Sequence, residues 1–435
     1  MSMLEIFARR NHSLRARRDR PSLKPKPVRI SDDGHGDSLL SRQRDIMNHC
    51  MMIAQSYQLL TSNERAEPDW NRTKLLGLSD SVRAGLRGGN VSSSDTETLS
   101  NFLEAALKDE ERKYPTLDFE IIEYARLDKL LAELLQFADT MKAGDLTPEL
   151  LLRFRVNVSE AKNLRRLWRR RFREQFFMMD QHRCAVLVEG GRLKDVSFNS
   201  SLDYDLGKWQ TKRLTGTVSE VEANLQFEPG HWWLNITCAE RDGIVNSSLE
   251  TPTKGCYGFT ALPLLTGSEE LISNNKVRYV REGRTSEMHI PLMTQVGRKI
   301  RIIRGYRLRS IFAPEAGLRY DGLYIIRQYG VKLDSNINKY RLELTLERAA
   351  DQRPFDYVRE VPKPSQLDDW ALYQKLEGDK IKLLQGESSY LQWKLEQRKE
   401  KVERDEWQRA RLFKASFARA VARNEQLGRR ATGQY

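Results

Sequence analysis

The most informative segment for the fold is F-A-P-E-A-G-L-R-Y-D-G-L-Y, residues 312–324, which short strand patterns flank on both sides. Inside a small sheet domain the ring of Tyr320 would fill the core and the Asp321 carboxylate would accept backbone N–H bonds. Gly322 would supply a backbone conformation that is costly to a side chain. We therefore expect a structural rather than a catalytic role for these three residues.

β-Strand patterns continue outward from this segment. From Gly190 onward the apolar period shifts from about 3.6 towards 2 residues. Strand patterns are found at 300–304, 323–331 and 340–347. In 340–347 apolar and polar residues alternate strictly, and 334–338 would be the hairpin loop before it. These patterns predict a β-rich domain over residues 191–360.

The quoted segment resembles the signature of the SRA domain, also called the YDG domain, whose pattern is Y-A-P-x-x-G-x-R-Y-D-G-x-Y. The basic stretch 298–304 is similar to the strand that precedes this signature in the family. The stretch 229–243 looks like the beginning of the domain in stand-alone members, so the resemblance covers about 205–360. It implies an α+β protein with a PUA-like SRA β-barrel, preceded by an α-helical region and followed by long C-terminal helices.

The resemblance also implies a function, because well-studied SRA domains hold DNA in a basic saddle, flip out a cytosine and recognise its 5-methyl group. Tyr279 matches the tyrosine that stacks on the extruded base. Glu270 stands where the family has the aspartate that reads the cytosine edge, and the second pocket tyrosine is absent. The pocket is therefore degenerate. At 246–250 a segment without the family's glycines would turn Glu250 towards the DNA.

Contacts to DNA phosphates are expected from basic side chains on and near the strands, where only alternate residues of a strand face the same side. The candidates are Lys276, Arg278, Arg281, Arg284, Arg298, Arg301 and Arg304. Glu270 and Tyr279 are the base-pocket candidates. No catalytic residue is predicted.

An α-helical region is predicted over 45–190. Its clearest helix places leucines three and four residues apart within 121–135. Thr147 and Pro148 predict the cap and first turn of a second helix, which would reach about Val156. A third, over 159–179, is the most basic of the chain. Its arginines would contact phosphates, or else extend over the helices and pair with acidic residues.

The two ends of the chain have different compositions. Residues 1–44 are rich in Arg, Pro, Ser and Asp and poor in large apolar groups, which predicts a disordered basic segment. Residues 361–435 are highly charged with aromatic residues at intervals, which predicts a helical C-terminal tail. The arginines near the N-terminus are typical of a nuclear-import segment, so we expect a nuclear protein.

Net charge favours a polyanionic partner. The 73 Lys and Arg residues outnumber 60 Asp and Glu, giving a formal charge of +13. Nucleic acid is the leading candidate, and solubility or an acidic protein partner is the other interpretation of the same charge. No apolar run of membrane-spanning length occurs in the sequence, so no membrane is expected as a partner.

Enzymatic motifs are absent from the sequence. The four cysteines, Cys50, Cys184, Cys238 and Cys256, show no paired spacing, which predicts free thiols rather than a zinc site or a RING module. No phosphate-binding loop, H-E-x-x-H or nucleophile-elbow motif occurs. We expect no metal, no cofactor, no small-molecule substrate and no enzyme activity, and ubiquitin-ligase activity only through partners.

Two functions remain open. The first is a chromatin-associated DNA-binding protein whose SRA domain recognises 5-methylcytosine in hemimethylated or methylated DNA. The second is a degenerate SRA barrel that serves as a nuclear scaffold for chromatin proteins or ubiquitin-ligase complexes.

Overall fold

The computed structural model describes residues 70–89, 91–141, 147–199, 208–211, 227–273, 275–334 and 338–431, with 412–431 as backbone only. The basic segment predicted at 1–44 and most of the predicted hairpin loop 334–338 lie outside these ranges. The described chain mixes helices with a large sheet, which confirms the α+β class. Within it no helix has both the length and the apolar character needed to cross a membrane.

The N-terminal part of the described chain is helical. Its helices are α1 (Arg72–Gly88), α2 (Ser93–Glu110), α3 (Phe119–Tyr124), α4 (Leu127–Thr140), α5 (Pro148–Arg171) and α6 (Arg173–Glu189). The single helix predicted over 121–135 is wrong, because Arg126 adopts a left-handed conformation (φ 56°) that separates α3 from α4. The predicted end near Val156 is also wrong: no proline or glycine interrupts 149–171, so α5 continues to Arg171.

The strands follow the helices in the chain. They are β1 (Val196–Asn199), β2 (Lys208–Thr211), β3 (Trp232–Trp233), β4 (Thr253–Gly255), β5 (Gly258–Leu264), β6 (Ser268–Ser273), β7 (Lys276–Gly283), β8 (Lys299–Gly305), β9 (Leu318–Asp334) and β10 (Lys339–Arg348). β1 pairs with β2. A short helix, α7 (Ile236–Arg241), lies between β3 and β4.

The large sheet has the strand order β4-β5-β8-β9-β10-β7-β6, with β3 paired to β9. β5 and β8 are parallel, whereas the other neighbours are antiparallel. The expected closed barrel is not formed by the described residues. Closure requires a continuous hydrogen-bond ladder along both edges. The edge strand β6 pairs with β7 on one side, and on its other side it makes only an isolated bridge, from Ser268 to Arg309, to the described residues, so the sheet stays open.

Two apolar cores lie on the sheet. In the first, Leu342, Leu344 and Leu346 of β10 are fully buried, as strict alternation along a strand requires. The C-terminal helices are α8 (Phe355–Arg359), α9 (Pro364–Gln385) and α10 (Glu387–Ala431). The second core contains Trp232 and Tyr320, together with Tyr373 of α9.

Helix α9 is held between the helical layer and the sheet. Its first turn faces α1, where the Asp80 carboxylate accepts hydrogen bonds from the backbone N–H and hydroxyl of Ser365 at 2.7 Å each. Arg83, whose side chain is 0% exposed, donates to Asp368 at 2.8 Å and to Glu133 of α4 at 2.6 Å. The arginine therefore joins three helices through charged pairs in which its own guanidinium is fully buried and the two carboxylates are partly buried.

Replacing Arg83 with alanine should lower the free energy of unfolding by about 3 kcal/mol, the low end for a broken buried pair, because Asp368 would lose its partner and Glu133 would keep only Arg87. Urea denaturation followed by circular dichroism measures the change. Lys108→Ala is the matched control, since its pair with Glu104 is exposed to solvent and its loss should leave the free energy of unfolding nearly unchanged. Equal stabilities of the two variants would contradict the interpretation.

Two cysteines should differ in reactivity. Cys238 is 1% exposed, and burial raises the pKa of its thiol to about 11, whereas Cys256 is exposed. A thiol with this pKa is almost entirely protonated at pH 8. Because the thiolate is the reactive form, such a thiol reacts slowly. Iodoacetamide at pH 8 should label Cys256 and leave Cys238 unlabelled until the protein is denatured. Peptide mass spectrometry measures the labelling, and rapid native labelling of Cys238 would contradict its burial.

Candidate nucleic-acid interface

A buried network of charged groups surrounds the 312–324 segment. Arg304 of β8 donates to both oxygens of the Glu269 carboxylate, at 2.8 and 2.9 Å, and to Asp321 Oδ2 at 2.6 Å. Arg319 donates from Nε to Asp321 Oδ1 at 2.6 Å. All four side chains are at most 2% exposed. Asp321 therefore accepts hydrogen bonds from two arginines, which corrects the expectation of backbone N–H donors.

The network keeps one of the phosphate-contact candidates, Arg304, away from the surface. Burial alone would lower the pKa of Arg304, but Glu269, Tyr324 and Asp321 raise it well above its ordinary value, so the guanidinium stays charged inside the protein. Arg301 is only 3% exposed. A phosphate could not reach the Arg304 guanidinium without opening the sheet. Arg304 is therefore a structural residue, and its predicted phosphate contact is wrong.

The rest of the motif fits tightly against the chain that precedes β3. Tyr320 is 0% exposed; its backbone N–H donates to the carbonyl of His231 at 2.9 Å, and its own carbonyl accepts from Gly230 at 2.7 Å. Gly322 has φ 99°, and a Cβ there would lie 2.3 Å from Oε1 of Gln352. That oxygen accepts the backbone N–H of Leu323 at 2.6 Å, so the glycine makes room for a needed hydrogen bond.

The two base-pocket candidates do not meet. Tyr279 of β7 is opposite Glu269 in the strand register, and Glu270 is opposite Arg278, so the two candidates lie on different faces of the sheet. Tyr279 is 2% exposed in the apolar core, where burial raises the pKa of its hydroxyl. Glu270 is 51% exposed and accepts from Arg411 of α10 at 3.0 Å. The pocket expected from these two residues is not formed.

Glu250 turns inward instead of towards a ligand. One of its carboxylate oxygens accepts the backbone N–H groups of Leu265 and Thr266, at 2.6 and 2.9 Å, and the other accepts the Thr266 hydroxyl at 2.7 Å. It also pairs with Arg281 at 3.3 Å. The expectation that Glu250 faces DNA is therefore wrong, because the residue caps the end of β5.

The basic candidates of β7 are spread over different environments. Lys276 pairs with Glu347 at 3.2 Å, and Arg281 is only 15% exposed beside Glu250. Arg278 is exposed and has no ion pair with any described residue. Arg284 is exposed just after the strand. Two of the four candidates thus have acidic partners, and the other two are exposed to solvent.

A concave basic surface does form at the other end of the sheet. We name it the Tyr257 hollow; its volume is about 350 Å³. It is lined by Tyr257, Gly258, Phe259, Thr260, Gln295, Arg298, Lys299, Arg301 and Leu323. Tyr257 is 84% exposed, and its carbonyl accepts from Nη1 of Arg298 at 2.9 Å. The hollow thus combines an exposed aromatic ring with two exposed cations, Arg298 and Lys299.

Sequence reasoning identified Arg298 and Arg301 but missed Tyr257, Phe259 and Lys299. The parallel pairing of β5 with β8, with Ala261 opposite Arg301, brings the aromatic turn beside the basic strand. The sequence did contain one sign of an aromatic turn here, because two aromatic residues flank Gly258. In the structure Gly258 adopts φ 134° and leaves room for the Gln295 amide. In the described part of the chain no cluster of His, Cys, Asp and Glu could hold a metal ion.

Replacing Asp321 with alanine should destabilise the protein by about 3–5 kcal/mol, because two buried guanidinium groups would lose a shared acceptor. Urea denaturation measures this change. Glu343→Ala serves as the control, since its pair with Arg341 is more than 40% exposed on both sides and should change stability by less than about 1 kcal/mol. If the Asp321 variant unfolded at the wild-type urea concentration, the network would have no structural role.

Comparisons with known proteins give a limited result. No family model matches the sequence, and no curated protein matches it. Among solved structures, the SUVH5 SRA domain in complex with hemimethylated CG DNA is 19% identical over 32% of this chain and 97% of that chain, with a TM-score of 0.24. Arabidopsis thaliana SUVH6 in complex with SAM is 18% identical over 33% of this chain and 30% of that chain, with a TM-score of 0.26. The likenesses cover about a third of this chain.

Proposed function

We propose that this protein binds DNA through its sheet domain, with the Tyr257 hollow as the contact for an unpaired base. The observation that carries the proposal is an almost fully exposed tyrosine at the edge of a hollow that also presents Arg298 and Lys299. The SRA-like motif at 312–324 and the net charge of +13 support the same class of partner.

The chemistry of the hollow suits a nucleotide. Stacking of a base on an aromatic side chain is worth about 1–3 kcal/mol and needs an exposed ring, which Tyr257 provides. Exposed cations beside the ring would neutralise the phosphates that flank the base. A volume of about 350 Å³ falls within the range of small-molecule pockets, so one base could enter.

A preference for 5-methylcytosine is the finer part of the proposal. It is supported by the resemblance to SRA domains and by two half-buried apolar side chains in the hollow, Phe259 and Leu323, which offer a surface for a methyl group. Tyr279 and Glu270 have no part in it, since they lie on different faces of the sheet. A nuclear, chromatin-associated, non-enzymatic role belongs to the same proposal.

Fluorescence anisotropy with labelled duplexes tests the proposal. Unmodified, hemimethylated and fully methylated CG duplexes should bind with salt-dependent affinity, the methylated ones more tightly. Tyr257→Ala should weaken binding by about 1–3 kcal/mol, the worth of one stacked base. Arg298→Ala should reduce the slope of log affinity against log salt by about 1 and weaken all duplexes alike.

Matched controls are available on other surfaces. Tyr114 is 77% exposed in the helical layer, and Arg327 is paired with Glu347 on the sheet. Alanine at either position should leave DNA binding unchanged. Salt-independent or undetectable binding by the wild type would overturn the proposal. A Tyr257→Ala variant with wild-type affinity would remove the hollow from it.

The scaffold function has one observation in its favour. Leu391, Leu395 and Val402 of α10 are 51, 66 and 47% exposed and lie on one side of the helix, an arrangement typical of a helix that pairs with a partner. Protein partners that survive nuclease treatment and are lost in a Leu395→Glu variant, together with no DNA affinity, would favour this second candidate.

A further inference from the structure

Helix α5 carries an exposed basic face outside the sheet domain. Arg155, Lys162, Arg166 and Arg169 are separated by seven, four and three residues, so they lie along one side of the helix. The opposite side contains the buried residues Phe154, Asn157, Ala161, Leu164 and Trp168. We call the four basic residues the α5 basic face. At a rise of about 1.5 Å per residue it extends over roughly 20 Å.

Among the residues that the structure describes, no acidic side chain pairs with this face. The acidic residues of α5 are Glu149 and Glu160, and their positions in the helical repeat place them away from it. None of the four basic side chains forms an ion pair with a described residue. Arg166 only donates to the Asn163 side-chain oxygen at 2.9 Å. The interpretation that these arginines pair with acidic helices is therefore wrong for the α5 basic face.

One arginine of the same helix, Arg171, is paired with other residues and so differs from those of the α5 basic face. Arg171 donates to Glu110 of α2 and to a backbone carbonyl, and its side chain is 26% exposed. Within α5 the like charges also act on each other: burial, and then the charge of Arg169, lower the pKa of Arg165. Arg165 lies beside the α5 basic face, and a bound polyanion would relieve the repulsion that it experiences from Arg169.

We propose that the α5 basic face binds the phosphate backbone of duplex DNA, as a second contact separate from the Tyr257 hollow. Three of the four residues are arginines, whose planar groups suit phosphate oxygens. The four charges lie seven, four and three residues apart on one side of the helix, or about 5–10 Å along its axis, which a row of phosphates can match. The face contains no aromatic residue, so its contacts do not depend on base sequence or methylation.

The test is a four-fold variant, Arg155→Gln, Lys162→Gln, Arg166→Gln and Arg169→Gln, in the full chain. Glutamine keeps the helix, and circular dichroism with a thermal midpoint checks folding. With an unmodified 20-base-pair duplex, affinity should fall at least tenfold. The salt slope should decrease by about 3–4, since each neutralised phosphate contributes about 0.9. Methylated duplexes should lose affinity by the same factor.

The matched control removes four exposed positive charges from α10, with glutamine at Lys394, Arg398, Lys399 and Lys401. This control should retain the wild-type salt slope. If it loses as much as the α5 variant, net charge alone acts and the proposal fails. It also fails if the α5 variant keeps wild-type DNA affinity but loses binding to a polyglutamate peptide, because the partner is then an acidic protein.

This inference and the proposed function can fail separately. If the α5 variant weakens binding and Tyr257→Ala does not, the basic face stands and the hollow is excluded. If Tyr257→Ala weakens binding and the α5 variant does not, the hollow stands and the α5 basic face is excluded. When both contacts act on one duplex, the combined variant should lose about the product of the two separate fold-changes.

Discussion

The pairing of Arg304 with Glu269 and Asp321 is the constraint on which the sheet domain depends. A guanidinium this deeply buried is tolerated only with its counter-charges in place. The pairs join β6, β8 and β9, and Arg319 extends them to the carbonyls of Phe312 and Val361, at 2.5 and 2.7 Å. The R-Y-D-G part of the motif is thus a structural element that closes the interior of the sheet.

A second set of buried charges positions the rest of the chain. Arg83, Asp368 and the Asp80–Ser365 hydrogen bonds fix α9 against the helical layer, while Tyr373 of the same helix is buried in the core with Tyr320. Helix α9 therefore packs against both the helical layer and the sheet and connects the two. Within the helical layer, the apolar side of α5 packs against α2 and α4, and its basic side faces solvent.

The two candidate DNA contacts have different physical characters. The Tyr257 hollow offers a ring for stacking and two cations, a combination able to distinguish an unpaired base. The α5 basic face offers charge alone, which adds affinity without selectivity. A protein with both would gain most of its binding energy from phosphates and its preference from the hollow. The degenerate match to the family's base pocket is compatible with this division, since neither contact uses Tyr279 or Glu270.

The sequence by itself determined the features that depend on neighbouring residues. Alternation predicted β10, the Thr147–Pro148 pair predicted the start of α5, and the 312–324 motif indicated where the sheet is most constrained. Tertiary structure decided which charged side chains are exposed to a ligand. Arg304 is buried because Glu269, 35 positions earlier, supplies a carboxylate. It also brought Tyr257 beside Arg298. Burial and pairing depend on groups far apart in the chain, and local patterns carry no information about such distances.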